Sequence, residues 1–406
     1  MGYGARGHSS IFPKDALLNL PEESYSHGVK KLVAQEVAKN PFSEVMISVK
    51  QSTGITLPKA TIEMLAYKAS VDFDAFYAKK VSKELNRQSL LVLTTDGKGI
   101  VMRREDLKKA TRKKAEQTQH KLRKRQSKGE KANAKRMATV ASVYGVDRFI
   151  RTPEQIMGEM KSTETACRPR PVDKRVWASV EKESVDVTSD IFDEALRRDP
   201  LHEKKWVCLV DGDPRQLRRI QNIAKKKGVD ITIIMDIIHV VEYLWKAARV
   251  LYGETSQEAE YWVSERLLAI LRGKAGQVAA GMKRSATLKK TAKTTRGPID
   301  KCAGYILKNK PYLQYHQYLK EGFPIATGII EGACRHLIKD RMDVTGARWS
   351  LRGAEAVVKL RSLRSSGDFE NYWQFHEDQE FIRNHQSLYA DPSILDRSKN
   401  KKQESC

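Results

Sequence analysis

The run Trp206–Val210, WVCLV, is apolar at every position and stops at Asp211-Gly212-Asp213-Pro214; a helix-like segment, RQLRRIQNIAKKK, follows and Gly228 closes it. A strand with no polar alternation is buried on both faces, which requires helical layers around it and points to an α/β core. ITIIMD (231–236) reads as a second short strand of the parallel type, leading into the helix IIHVVEYLWKAARVLY. In such folds the chemistry lies at the carboxyl ends of the strands, which makes Asp211 a candidate site residue.

Two further acids share its surroundings. Asp96 lies in SLLVLTTDGKGIVMR, which predicts an apolar strand, an Asp-Gly turn and a short returning strand. Glu331 lies in ATGIIEGACRHLIKDRMDVTGARW (326–349), on a predicted helix whose apolar face is Ile330, Ala333 and Leu337. Arg335, Lys339, Arg341 and Arg348 surround it. Carboxylates from separate elements, set among cations, suit a divalent ion that works on phosphodiesters: the acids hold the ion and the cations take the phosphates. Asp213 competes with Asp211, which directly ends the strand; Asp147 competes with Asp96, because it too ends a strand pattern. Trp349 follows Thr345-Gly346-Ala347-Arg348 in a loop, where an exposed ring would stack on an unpaired base and a buried one would anchor the core. Asp236 and His239 form a D-x-x-H pair with either a DNA-contacting or a supporting role.

Composition agrees with a polyanionic partner. Net charge over the 406 residues is +24. No apolar run reaches the ~18 residues that a membrane span needs, and MGYGARGHSS lacks the apolar segment of a signal peptide. The five cysteines (167, 208, 302, 334 and 406) include no C-x-x-C pair, which fits reduced, mostly buried thiols and builds no zinc site. No G-x-x-x-x-G-K-[ST] motif is present, which argues against nucleotide hydrolysis.

Along the chain, residues 1–88 predict three amphipathic helices (HGVKKLVAQEVAK, FSEVMISVKQST, PKATIEMLAYKAS), arranged as a helix-turn-helix-like DNA-binding region or as a plain bundle. In residues 103–136, fifteen of 34 are Lys or Arg and four are acidic, a segment too poor in apolar side chains to fold alone. It is read as a basic insertion between the second and third strands that orders on DNA phosphates. MATVASVYGVDRF (137–149) resumes the β pattern. Residues 250–323 read as mostly helical; Tyr312, Tyr315 and Tyr318 recur every three residues, a spacing that favours core packing on one helix face.

The segments RPRPVDKRVWASV (168–180), EALRRDP (194–200), WVCLVDGDPRQL (206–217), MDIIHVVEYLWKAA (235–248), PIATGIIEGACRHLIKDRMDVTGARW (324–349) and LRGAEAVVKLRSLRSSGDFENYW (351–373) resemble the DDE insertion-sequence transposases of the ISKra type. The resemblance spans most of residues 60–390. It implies an RNase H-like α/β core, a mixed five-stranded sheet with flanking helices, split into 89–250 and 324–390 around an all-helical insertion at 251–323. An N-terminal helical domain (1–88) precedes the core and a polar tail (391–406) follows it. The implied catalytic and metal-binding residues are Asp96, Asp211 and Glu331, with Mg²⁺ as cofactor and Mn²⁺ as its substitute. Arg335, Lys339, Arg348, Trp349 and His239 are the implied DNA contacts. The implied activity is cleavage and strand transfer at transposon ends and target DNA by a homodimer or larger synaptic complex, in a bacterial cytoplasm at the nucleoid and away from membranes. The family carries cysteine-rich, zinc-binding sequence ahead of this region, which this chain lacks. The alternative is therefore a truncated or inactive derivative that only binds DNA.

Overall fold

The structure is a computed structural model and describes residues 13–118, 133–161, 168–254, 256–288, 293–344 and 346–388. The apolar runs pair into one sheet: β1 (Leu90–Val101), β2 (Lys135–Val146), β3 (Val172–Ser179), β4 (Trp206–Val210) and β5 (Ile231–Met235), in the spatial order β3-β2-β1-β4-β5. β2 is antiparallel to β1 and β3, while β4 and β5 run parallel to β1 and to each other. The core is thus a mixed five-stranded α/β sheet with flanking helices. All five residues of β4 are buried, as its unbroken apolar run requires.

The predicted Asp96-Gly97 turn does not form. β1 continues straight through it, paired with β2 from Leu90↔Val146 to Val101↔Lys135. The unbroken ladder with β2 pairs one whole edge of the strand along twelve residues, and that outweighs the local turn preference. The basic stretch therefore joins β1 to β2 rather than a second strand to a third. It begins with a 3₁₀ turn (Arg104–Asp106) and a helix (Lys109–Gln117); positions 119–132 lie outside the described residues, as do the tail 391–406, Cys167 and Cys406.

Helix Ser184–Arg198 packs on β1 and β2, and helix Leu351–Ser366 lies on β3 and carries helix Lys59–Lys68 on its far side. The N-terminal segments form helices His27–Val37, Phe42–Thr53 and Lys59–Lys68, and their apolar faces join the same hydrophobic cluster as the sheet. Charge pairs tie this region to the C-terminal helix Phe369–Asn384: Lys30 to Glu380 at 2.5 Å, and Asp72 to both His376 and Arg383 at 2.6 Å. Between β5 and the glutamate segment the chain is helical, with helices Gln257–Leu271, Ala275–Leu288, Lys293–Lys308 and Tyr315–Lys320 after Ile237–Tyr252. Tyr315 and Tyr318 are buried, in keeping with core packing, but Tyr312 belongs to a separate 3₁₀ turn, so the three do not share one helix. Cys208, Cys302 and Cys334 are free, buried thiols, and burial pushes the first two up to about 12. Among the described residues no helix is long and apolar enough to cross a membrane.

Candidate active site at the carboxyl ends of the parallel strands

The sheet register brings the acids together. β1 and β4 pair up to Thr94↔Leu209, and β4 and β5 up to Val210↔Met235. Continuing those registers sets Asp96, Asp211 and Asp236 side by side across three adjacent strands, each about 4.8 Å from the next. β1 runs on past the end of β4, so Asp96 is a mid-strand residue of β1 at the level where its neighbours stop. Asp147 lies at the opposite end of the sheet, just beyond the Leu90↔Val146 pair, where it accepts a hydrogen bond from Ser89 at 2.7 Å. Asp147 is thus remote from Asp211, whereas Asp96 is level with it.

Each aspartate is held differently. Asp96 Oδ1 accepts from the Gly97 amide (2.6 Å) and Oδ2 from the Cys334 thiol (3.1 Å). Asp211 Oδ1 accepts from the Asp213 amide (2.9 Å), and its carbonyl accepts from the Tyr305 hydroxyl (3.0 Å), whose ring stacks on Tyr243 at 4.1 Å. Between these two aspartates of the turn, Gly212 adopts φ +94°, and a Cβ there would come within 2.9 Å of the Tyr305 ring and 3.0 Å of Met235. Only glycine allows helix Lys293–Lys308 to close onto Asp211 this tightly. Asp213 is committed elsewhere: it caps helix Pro214–Lys227 by accepting from the Arg215 amide at 2.8 Å. Burial acts to raise its carboxyl, but this bond and the Arg215 and Arg219 guanidiniums outweigh it and hold the group below the usual range. Asp236 caps helix Ile237–Tyr252 through the Ile238 amide (2.8 Å), and its other oxygen accepts from the Thr327 hydroxyl. It is 1% exposed, and that burial pushes its carboxyl above the usual range despite both bonds.

Glu331 projects from helix Gly328–Ala333, which starts at Thr327 and packs on β1, β2 and β3. Its carboxyl is exposed, yet it is held above its ordinary value, first by partial burial and then by Asp236, with Glu242 and Asp96 adding to this and His239 opposing. The glutamate is thus near enough to Asp236 and Asp96 to feel their charge. None of Asp96, Asp211, Asp236 and Glu331 forms an ion pair with a lysine or arginine among the described residues. All four offer oxygen, the donor that a hard divalent cation selects. Even so, among the described residues no three His, Cys, Asp or Glu are drawn close enough to hold one metal ion together. The fit is one of donor type and unneutralised charge.

Asp96, Asp211 and Asp213 line a cleft of about 900 Å³ together with Lys108, Arg215, Arg218, Arg219 and uncharged residues such as Gln216 and Thr139. Lys108 is paired with Glu183 at 2.6 Å and Arg215 lies 3.5 Å from Asp213, which leaves Arg218 and Arg219 as the cleft's cations without an ion pair among the described residues. Of the expected DNA contacts, Arg335, Lys339 and Arg348 are exposed and His239 is half-buried, 3.9 Å from Glu242. Arg335 lies 3.5 Å from Asp340. Arg335 and Lys339 do not stack one α-turn apart, because Cys334–Lys339 is a π-helical turn. Trp349 is not an exposed ring. It is 6% exposed, donates from Nε1 to the Met342 carbonyl at 3.1 Å and packs against Phe42, because its backbone is fastened to the end of β1. Arg341, placed by the sequence among the surrounding cations, is buried as well.

Four participants escaped the sequence reading. Asp236 was seen only with His239, and the strand register is what places it level with Asp96 and Asp211. Cys334 lies three residues after Glu331, a helical spacing that was itself a signal. Arg218 and Arg219 are legible only once helix Pro214–Lys227 is known to start at the acids. The chain matches no protein-family model and no curated protein.

Proposed function

We propose that this chain is a DDE-type transposase with an RNase H-like core, using Asp96, Asp211 and Glu331 to bind Mg²⁺ and cut DNA at transposon ends. The observation that carries the reading is the level row of carboxylates at the ends of the parallel strands. In a chain of net charge +24 they have no lysine or arginine ion-pair partner among the described residues, and Asp96 and Asp211 line a cleft that also holds three arginines. The mixed five-stranded sheet with flanking helices is the architecture that the resemblance implies.

Asp96, Asp211 and Glu331 would hold the ion, which supplies Lewis-acid stabilisation of phosphate oxygens and activation of the attacking oxygen. The chain's own residues do the rest. The Gly97 amide and Cys334 thiol fix the Asp96 carboxylate, and the Asp213 amide fixes that of Asp211. Arg218 and Arg219 take the backbone phosphates and set the scissile bond against the acids. In cleavage, water oxygen bonds to phosphorus, the bond from phosphorus to the 3′ oxygen breaks and that oxygen leaves as a 3′-hydroxyl. In strand transfer the 3′-hydroxyl takes the place of water.

The second reading is a DNA-binding derivative without catalysis, favoured by the finding that, among the described residues, no three acids lie close enough to chelate one ion. A cleavage and strand-transfer assay with Mg²⁺ or Mn²⁺, on DNA carrying the element's own ends, separates the two. Asp96→Ala, Asp211→Ala and Glu331→Ala should each abolish product while leaving binding intact. Wild-type protein that binds the ends without ever cutting them would establish the second reading.

A further inference from the structure

We infer that the cleft between the N-terminal helices and the segment after the glutamate helix is a nucleotide subsite, taking a phosphate on Arg341 and a base against Phe42, Met46 and Val344. The cleft holds about 420 Å³, within the size range of small-ligand sites. Arg341 lines it while being only 4% exposed, and its Nε and one terminal nitrogen have no hydrogen-bond partner. Its guanidinium lies 5.0 Å from the Phe42 ring centre and 4.8 Å from that of Trp349, between two aromatic walls rather than against a carboxylate. Burial and the neighbouring Arg361 push Arg341 down to about 10, with only Glu44 opposing.

A buried guanidinium with unmet donors is costly, and a planar fork of donors matches a phosphate. The rim repeats the preference. Arg103 and Arg348 are exposed there without an ion pair among the described residues, and Lys59 is 3.8 Å from Glu63, the only acid lining the cleft among them. The apolar wall argues against a bare anion: Phe42 and Met46 are half-buried and Val344 is 44% exposed, a surface suited to the face of a base.

The subsite is fixed relative to the acids. Trp349 donates to the Val101 carbonyl (3.1 Å) and accepts from the Arg103 amide (2.8 Å), which fastens the cleft to the end of β1. Met102 is six residues from Asp96, about 20 Å along the strand. A nucleotide gripped there would set the register of a nucleic-acid strand crossing the acids. The inference rests on the reading of the chain as a DNA-acting protein, and its test is separable from catalysis.

The test is calorimetric titration with thymidine 5′-monophosphate and with inorganic phosphate, without divalent metal. Wild type and the acid variant Asp211→Ala should both bind the nucleotide, about tenfold more tightly than phosphate. Arg341→Met and the double variant Arg103→Ala/Arg348→Ala should each weaken the nucleotide about tenfold or more. Arg341→Met should melt no lower than wild type, because it removes an unpartnered buried charge. If it fails to fold, the double variant of exposed residues decides. Nucleotide binding no tighter than phosphate, or insensitive to the variants that fold, would overturn the assignment. Loss of DNA cleavage in Asp211→Ala with nucleotide binding retained keeps a failure of the catalytic reading distinct from a failure of this one.

Discussion

The arginine wall of the acid-lined cleft makes a prediction with a definite size. Arg215, Arg218 and Arg219 sit in the first turns of helix Pro214–Lys227, and the Nε atoms of Arg218 and Arg219 are tied to the Pro214 and Arg215 carbonyls at 3.3 and 3.2 Å. That fixes their stems and leaves the terminal nitrogens for phosphate. If all three contact duplex DNA, they contribute about −2.7 to the slope of log affinity against log salt, at about −0.9 per contact. Removing two, as Arg218→Ala/Arg219→Ala, should make the slope shallower by about 1.8. Between 50 and 200 mM salt that difference is about twelvefold in affinity. Fluorescence anisotropy across a salt series measures it directly. The control is Lys225→Ala/Lys226→Ala, an equal loss of charge on the same helix about two turns away, which should change the slope far less. An unchanged slope in the arginine variant, or equal changes in both, would show that DNA does not run through this cleft.

Two further perturbations test the electrostatics of the core. Glu194 is buried against Arg175, Arg198 and Arg197; burial acts to raise its carboxyl, but the three arginines bring it from 4.5 to about 2. A lowered carboxylate stabilises the fold fully above its unfolded value and loses that contribution as pH falls through the folded one. Glu194→Gln should therefore cost about 3 kcal/mol in urea denaturation at pH 7. The gap between the two proteins should close from pH 4.5 down towards about 2, and a gap independent of pH would refute the assignment. Asp236→Asn keeps an acceptor for the Ile238 amide, and the Thr327 hydroxyl can turn to accept, so the fold should survive. Glu331 should then titrate lower while staying above its ordinary value, because partial burial is the larger cause of its shift. Carbon-13 titration of the glutamate carboxyls reads this, and an unmoved midpoint would sink the idea that the two groups face each other.

What was legible in the sequence was whatever is specified locally. The Trp206–Val210 strand, its stop at Asp211 and the helix to Lys227 follow from an apolar run, the Asp-Gly-Asp-Pro break and a Gly228 closure, which the structure places in the left-handed region at φ +66°. Glu331 on a helix was equally local. The misreadings all depend on distant partners. Asp96-Gly97 carries a strong turn signal, but β2 lies alongside from about forty residues further on and keeps β1 extended. The π-helical turn after Glu331 is met by Arg361, whose buried guanidinium donates to the His336 and Leu337 carbonyls and also to Ala38 at the end of helix His27–Val37. No window around residue 336 contains that information. Trp349 is buried for a similar reason, since its loop closes onto the end of β1.

The register leaves four acids for a site that the sequence built from three, and their surroundings separate their roles. Asp236 is the most deeply buried of the four, and both of its oxygens are engaged, one capping a helix and one on Thr327, the residue from which the Glu331 helix starts. A carboxylate so placed serves poorly as a ligand, because binding an ion would release the cap. What it does is mechanical and electrostatic at once. It joins the end of β5 to the start of the glutamate helix, and its charge raises the carboxyl of Glu331. Asp96 and Asp211 are half-buried and line an open cleft, and Glu331 is exposed. Each takes hydrogen bonds that orient the side chain without enclosing it, or none. Asp96 and Asp211 thus stay open to the cleft and Glu331 to solvent, while Asp236 is enclosed where β5 meets the start of the helix that carries the glutamate.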